Sequence, residues 1–196
     1  INLSTARYGE SLDKIYKRSP PPRVLIIGRG PSLRMKKHLD VLADQGFNGK
    51  IVASDGALPL LADKGIKVDY SVTVDGSPVL TKWFLKDSVA AMAPGFRAVL
   101  PVTVHPSVAN MCIKNGFKIS WYIPELDSGE DIKGVTEILQ LQTISEDNTT
   151  GLSRMNGAGN CGLAAIVFAA TILRSPEICL IGMDCGYPPD TPLTEL

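Results

Sequence analysis

The residues with the clearest chemical potential form a short loop, GRGPS at positions 28–32, which follows a run of apolar residues. Gly28 and Gly30 carry no Cβ, so the backbone can come close to an anion there. Free N–H groups at the start of a following helix would favour a phosphate, to which the Ser32 hydroxyl could add a donor and Arg29 a positive charge. We therefore predict that this loop binds nucleotide phosphates. The alternative is a tight turn that needs glycine for its geometry alone.

A second glycine-rich stretch, NGAGNCG at positions 156–162, opens an alanine-rich helix. Each glycine inside a helix costs roughly 1 kcal/mol relative to alanine, so helix propensity does not explain this composition. We predict that Gly157, Gly159 and Asn160 contact another part of the same nucleotide. Close packing of the helix on a strand is the alternative explanation.

Three carboxylates and one histidine follow the apolar runs. Asp55 and Asp75 each precede a glycine, and Asp184 follows the last apolar run. Carboxylates and water are the ligands that Mg²⁺ prefers beside nucleotide phosphates, so Asp55 and Asp75 are predicted as metal-binding and catalytic residues. We predict Asp184 as a nucleotide contact, and His105 as an acid–base or phosphate-binding group. Asp-Gly is also a common turn dipeptide, and a histidine before proline is often structural.

Short β-branched runs that alternate with helical patterns would position these residues. The predicted strands are residues 23–27, 50–53, 69–74, 97–100, 118–122 and 177–181, and the predicted helices between them are residues 32–43, 57–64, 78–93, 106–115 and 162–173. This alternation predicts an α/β fold with a doubly wound, mostly parallel, Rossmann-like sheet and helices on both faces. Ligands of such sheets bind at the carboxyl ends of the strands, where the predicted site residues lie.

Two segments depart from the regular alternation. Residues 1–22 are predicted as an accessory helix, over residues 4–16, followed by a proline linker, and residues 23–196 as the nucleotide-binding domain. Within that domain, residues 127–154 are polar and offer few apolar anchors. Long loops in compact domains are usually functional or mobile, so this segment is interpreted as a lid over the ligand, with a solvated insertion or an oligomer contact as alternatives.

The composition limits the classes of partner. Twenty basic residues balance 20 acidic residues, so no large cationic face indicates nucleic acid or an anionic membrane as a partner. No apolar run is long enough to span a bilayer, and the four cysteines lack a CxxC pair, which favours reduced thiols. We expect a cytoplasmic protein that binds a small-molecule substrate and is able to form homo-oligomers.

The first loop also resembles the dinucleotide-binding fingerprint, G-x-G-x-x-G. The third glycine position is occupied by Leu33, so the match fails where the helix must pack closely on the strand. Asp55 lies near the place of a ribose-binding acid. An NAD-binding function is therefore a minor alternative.

Four segments, in order, resemble motifs of the MptE-like family of archaeal and bacterial Rossmann-type proteins. They are IIGRGPSL at 26–33, VASDGA at 52–57, GIKVDYSVTVDG at 65–76 and ICLIGMDCG at 178–186. They resemble the family segments GxGPSL, ADGA, GIxPDxxVTDLDG and IxLxGMDFG. The family's best-defined activity is 6-hydroxymethyl-7,8-dihydropterin diphosphokinase, which transfers a diphosphate from Mg²⁺-ATP to a pterin alcohol. The resemblance implies that Gly28, Gly30 and Ser32 hold phosphates and that Asp55 and Asp75 serve metal or substrate.

The chain also departs from the family pattern. TVDG at positions 73–76 replaces DLDG and loses one acid, which weakens the expected Mg²⁺ site. Bacterial relatives are linked to flagellin glycosylation, and GxGPSL also opens certain sialyltransferases, which use a CMP-sugar without a metal. The sequence thus predicts a nucleotide-dependent transferase, with diphosphate transfer from Mg²⁺-ATP to a small alcohol ahead of glycosyl transfer. Nucleotide binding without turnover is the third alternative.

Overall fold

The computed structural model describes residues 2, 4–127, 134–146 and 151–186. In this part of the chain, eight strands form one parallel sheet. They are β1 (Glu10–Ser11), β2 (Val24–Ile27), β3 (Lys50–Ser54), β4 (Tyr70–Val72), β5 (Arg97–Pro101), β6 (Lys118–Pro124), β7 (Arg154–Met155) and β8 (Ile178–Ile181).

Helices connect most of the strands. They are α1 (Asp13–Tyr16), α2 (Ser32–Met35), α3 (His38–Gln45), α4 (Leu58–Asp63), α5 (Thr81–Phe84), α6 (Asp87–Ala90), α7 (Pro106–Lys114), α8 (Val135–Leu141) and α9 (Cys161–Val167). The helix α9 continues as a π-helical turn over Phe168–Ile172. No helix in the described residues has the length and apolar character needed to cross a membrane.

The strand order reverses once, beside β2. The sheet runs β1-β6-β5-β4-β3-β2-β8, with β7 paired to β6 outside this path. From β2 to β6 the chain adds each strand on the same side, and it then returns to place β8 against the opposite edge of β2. The fold class predicted from the sequence is confirmed, and the reversal identifies the β2–β8 boundary as the place where ligands of such sheets bind.

A separate apolar core covers each face of the sheet. On one face, Leu25 and Ile27 of β2 pack with buried residues of α3, α4, α5, α6 and α7. On the other, Val24 and Ile26 pack with α1, α9 and the π-helical turn. All four β2 residues are buried because β2 is covered on both faces and paired along both edges, which explains its uninterrupted apolar sequence.

Three helical predictions are wrong in detail. Residues 4–16 form a 3-10 turn, strand β1 and helix α1, so this segment adds a strand beside β6 in place of one accessory helix. Residues 32–43 divide into α2 and α3 at Lys37, whose φ is 55°. Residues 78–93 likewise divide into a 3-10 turn, α5 and α6. Summed helix propensity does not reveal these breaks because tertiary packing overrides it.

The polar segment 127–154 is described in part. Residues 135–141 of this segment form α8, which buries Leu139 in the same core as Leu25 and Ile27. Leu152 is also buried, although Val135, Ile138 and Leu141 are about half exposed. Residues 128–133 and 147–150 lie outside the described residues, so the lid hypothesis stays a prediction.

Candidate functional site

A cleft of about 540 Å³ lies where the strand order reverses. The loops after β2, β3, β4 and β8 and the start of α9 form its walls. Of the residues predicted from the sequence, it brings together Gly28, Arg29, Gly30, Asp55, Asp75, Asn160 and Asp184. Ser32, His105, Gly157 and Gly159 are not in its lining.

Three backbone donors of the first loop are engaged within the protein. The Gly28 N–H donates to the Ile181 carbonyl over 3.0 Å, and the Gly30 N–H donates to the Gly182 carbonyl over 2.8 Å. The Ser32 N–H donates to Asp184 Oδ2 over 2.8 Å. The Asp184 carboxylate therefore takes the position predicted for a phosphate. A phosphate could use the Ser32 donor only after Asp184 moves away.

The glycines of this loop are required by close backbone packing. A Cβ on Gly28 would overlap the carbonyl oxygen of Gly182, and one on Gly30 would lie 2.7 Å from the same oxygen. Gly182 itself has a φ of +65°, and a Cβ there would lie 2.6 Å from Leu33 Cγ. Leu33, which breaks the dinucleotide fingerprint, thus fills the space beside the β8 loop. The geometric alternative for this loop explains both glycines.

Asp55 connects three parts of the cleft from a buried position. Its Oδ1 accepts the Gly56 N–H over 2.6 Å, and its Oδ2 accepts the Thr73 hydroxyl over 2.7 Å and the Cys161 thiol over 3.4 Å. Burial raises the pKa of the Asp55 carboxyl above its ordinary value, although the bonds from Thr73, Gly56 and Cys161 oppose this shift. These contacts give Asp55 a positioning role, since they tie the ends of β3 and β4 to the start of α9.

Asp75 is more accessible than Asp55. Its side chain is exposed, and Oδ1 accepts the N–H of Ser77 over 2.8 Å. Electrostatic repulsion from Asp75 adds a small part to the raised pKa of Asp55, after the larger effect of burial. Asp75 is therefore the better placed of the two to meet a substrate entering the cleft.

The one cationic side chain in the cleft lining is Arg29, within the described residues. Its guanidinium carbon lies 4.3 Å from the centre of the Trp83 ring. Gly56 makes room for the Arg29 chain, because a Cβ there would lie 2.8 Å from Arg29 Cδ. Helix α5 and the β3 loop together hold the cation against the indole.

The second glycine-rich loop has a different construction. Gly159 adopts a φ of +85° with open space around its Cβ position, and Ala158 also has a positive φ of 48°. The Asn160 side chain accepts the Leu163 N–H over 2.9 Å and so caps α9. Burial, followed by the charge of Asp55, raises the pKa of the Cys161 thiol to about 12, which keeps it protonated. This loop supplies Asn160 and Cys161 to the cleft.

His105 lies away from the cleft lining, at the start of α7. Its Nδ1 accepts the Ser107 N–H over 3.3 Å and lies 2.8 Å from the Ser107 hydroxyl. The histidine thus caps a helix, which agrees with the structural explanation for a histidine before a proline. Its predicted acid–base role has no support from this position.

The cleft fits a protein-held Mg²⁺ poorly. Both Asp55 oxygens already accept hydrogen bonds, and burial raises the pKa of this carboxyl, which opposes the charged form that a metal needs. Across the described ranges, no group of three or more His, Cys, Asp or Glu side chains is placed to hold a metal. Any Mg²⁺ would depend mainly on Asp75, with substrate phosphates and water as its other ligands.

Sequence reasoning missed several residues of the cleft. Trp83 and Leu80 reach it from the region after β4, and Met183 from the β8 loop. Ser54 also lines it, with a buried hydroxyl that has no hydrogen-bond partner. Ser54 could have been found as the polar residue that ends an apolar strand, but no local pattern in the sequence indicates that Trp83 lies over Arg29.

The family model described as "6-hydroxymethylpterin diphosphokinase MptE-like" matches residues 1–190, which confirms the resemblance found in the motifs. No curated protein matches the chain.

A solved structure, the MAf glycosyltransferase from Magnetospirillum magneticum AMB-1, is similar with a TM-score of 0.60 and 16% sequence identity. The likeness covers 95% of this chain and 30% of that one. At this identity it shows a shared fold, and the chain spans about a third of the length of that protein.

Proposed function

The chain belongs to the MptE-like family, and we propose from the charge of its cleft that it is a nucleotide-dependent transferase that moves a glycosyl group from a nucleotide sugar to an acceptor hydroxyl. The cleft at the strand-order reversal is the proposed donor site. The fold shared with a glycosyltransferase is consistent with this proposal.

The charge of the cleft is the observation that carries the choice of donor. Its described lining contains three carboxylates, Asp55, Asp75 and Asp184, and one cation, Arg29. A nucleoside triphosphate brings several negative charges and would need metal ions to neutralise them. The site offers little support for such ions. A donor with a single phosphate, such as a CMP-sugar, matches one arginine better.

In the proposed reaction, the acceptor hydroxyl attacks the anomeric carbon of the sugar while the bond from that carbon to the phosphate oxygen breaks. Asp75 takes the hydroxyl proton as general base, and the nucleotide leaves with the bonding electron pair on its phosphate. Arg29 offsets the charge of the leaving phosphate. Asp55, held by Thr73 and Cys161, keeps the strand ends in position.

Diphosphate transfer from Mg²⁺-ATP is the second candidate. The description of the matching family favours it, and so does Asp75, whose exposed carboxylate could meet a metal carried in by ATP. In this reaction an acceptor alcohol would attack the β-phosphorus of ATP and release AMP. Asp55 and Asp75 would then act as the metal-binding residues predicted from the sequence.

A thermal-shift panel with CMP, UDP, GDP and ATP, each with Mg²⁺ and with EDTA, tests the proposal. A ligand at about 100 times its Kd stabilises a fold by about 2.7 kcal/mol, a shift that is easily measured. We expect CMP to raise Tm equally in both conditions, and Asp75→Asn to keep this shift but lose transferase activity. Stabilisation by ATP alone, abolished by EDTA and by Asp75→Asn, would replace glycosyl transfer with diphosphate transfer.

A further inference from the structure

We infer that Arg29, held against the Trp83 indole, is the phosphate-binding group of the cleft, in place of the backbone donors of the glycine loop. This inference rests on the proposed function and specifies how the donor is held. It makes Arg29 the contact to the donor phosphate and Trp83 a positioning residue that acts through Arg29.

The glycine loop has no free N–H group at the positions predicted to bind phosphate. The N–H groups of Gly28, Gly30 and Ser32 are all used within the protein. The carboxylate of Asp184 also brings a negative charge to this side, which would repel a phosphate. These three N–H groups are not free to bind an anion, which makes a side-chain donor in the cleft the better candidate.

The guanidinium of Arg29 is available to bind a ligand anion. In the described part of the chain it forms no salt bridge, although seven other basic residues do. Its guanidinium presents a planar set of N–H donors that suits phosphate oxygens. A half-buried arginine without a carboxylate partner, in a cleft that also holds acids, is suited to a ligand anion.

The surrounding residues fix the side chain of Arg29. The centre of the Trp83 ring lies 4.3 Å from the guanidinium carbon, and at this distance the electrons of the indole face attract the flat cation. Gly56 leaves space for the aliphatic chain on the other side. Such a fixed side chain loses less entropy when a ligand binds than a free one does.

Lys82 provides a matched control. Its Nζ also lies 4.3 Å from the centre of the Trp83 ring, but its side chain is exposed and is not in the cleft lining. Lys82→Gln removes the same charge beside the same indole. If general electrostatic attraction explained anion binding, the two substitutions would have similar effects.

Isothermal titration calorimetry with inorganic phosphate, at constant ionic strength, tests the inference independently of nucleobase and sugar. Wild-type protein should bind phosphate saturably, and Arg29→Gln should weaken binding at least about tenfold. Arg29→Lys should also weaken it, since an ammonium lacks the planar fork. Trp83→Leu should weaken binding about threefold, whereas Trp83→Phe restores most of it and Lys82→Gln has little effect.

Fluorescence supplies a second measurement. Phosphate should change the emission of wild-type protein through Trp83, and Trp83→Phe, which retains the buried Trp121, should show no such change. Circular dichroism checks that each variant is folded.

Wild-type protein that fails to bind phosphate, Arg29→Gln that binds it unchanged, or equal losses in Arg29→Gln and Lys82→Gln would each overturn the inference. The outcome is separable from that of the proposed function. Phosphate binding that depends on Arg29, without any nucleotide binding, would support this phosphate site and contradict the proposed transferase. Nucleotide binding that is unchanged in Arg29→Gln would support the proposed transferase and contradict this phosphate site.

Discussion

The two glycine-rich loops look alike in the sequence but use glycine for different reasons. In the loop at 28–32, Gly28 and Gly30 allow the β2 and β8 loops to touch, backbone against backbone. In the loop at 156–162, Gly159 has open space and supplies a left-handed conformation. Gly28 and Gly30 depend on the absence of a Cβ for backbone contact, whereas Gly159 depends on it for conformation and Gly162 leaves room for the Met183 side chain. Substitutions can separate the two uses.

The largest effect is expected at Gly28. In Gly28→Ala the new Cβ would overlap the Gly182 carbonyl and lie 2.7 Å from Met183 Sδ, so backbone must shift. We expect a loss of about 2–3 kcal/mol in the free energy of unfolding, measured with urea. Gly95→Ala is the control, because nothing lies within 4 Å of its Cβ position. A loss below about 0.5 kcal/mol at Gly28 would contradict the contact explanation.

A smaller, pH-dependent effect is expected at Asp55, which the second loop reaches through Cys161. Since burial raises the pKa of Asp55 in the folded state, the folded protein holds the proton after the unfolded chain has released it. The stabilisation that protonated Asp55 provides is present below the ordinary carboxyl pKa of 3.8. It is lost as the pH rises through the pKa of Asp55 in the folded protein. Asp55→Asn cannot titrate, so its stability relative to wild type should increase over this range.

Urea unfolding of wild type and Asp55→Asn across this pH range measures the difference. Parallel curves for the two proteins would show that Asp55 is ionised in the fold as readily as in the unfolded chain. Asp75→Asn serves as the control, because Asp75 is exposed at the same cleft.

The smallest effects are expected in the second loop. Gly159→Ala places a Cβ at a φ of +85°, which should cost about 1 kcal/mol through backbone strain. Gly157→Ala would meet Val74 at an ordinary distance of 3.4 Å and should change stability by less than about 0.5 kcal/mol. The difference in the free energy of unfolding between the two variants separates the cost of backbone strain from the cost of side-chain contact. Equal losses would mean that this loop, like the first, is held by packing.

The sequence predicted β2 to β6 and β8 of the sheet because these strands are short apolar runs between helical patterns. It also located the cleft, since Asp55, Asp75 and Asp184 all follow strands that end at one edge. What it could not supply was the pairing of side chains across loops. Asp184 bonds to Ser32 from a position 152 residues away, and Trp83 packs on Arg29 from a separate helix. No local pattern encodes such contacts.

The late placement of β8 also affects how the protein folds. Val24 of β2 pairs with Lys50 on one side and with Ile178 on the other. One edge of β2 therefore stays unpaired until β8 is synthesised, about 150 residues later. During synthesis the first strands can assemble while that apolar edge is open, a state that is prone to aggregation. The cleft forms only when β8 docks. If the proposed function holds, nucleotide binding stabilises this last step of folding, so ligand in the cell protects newly made chains as well as mature ones.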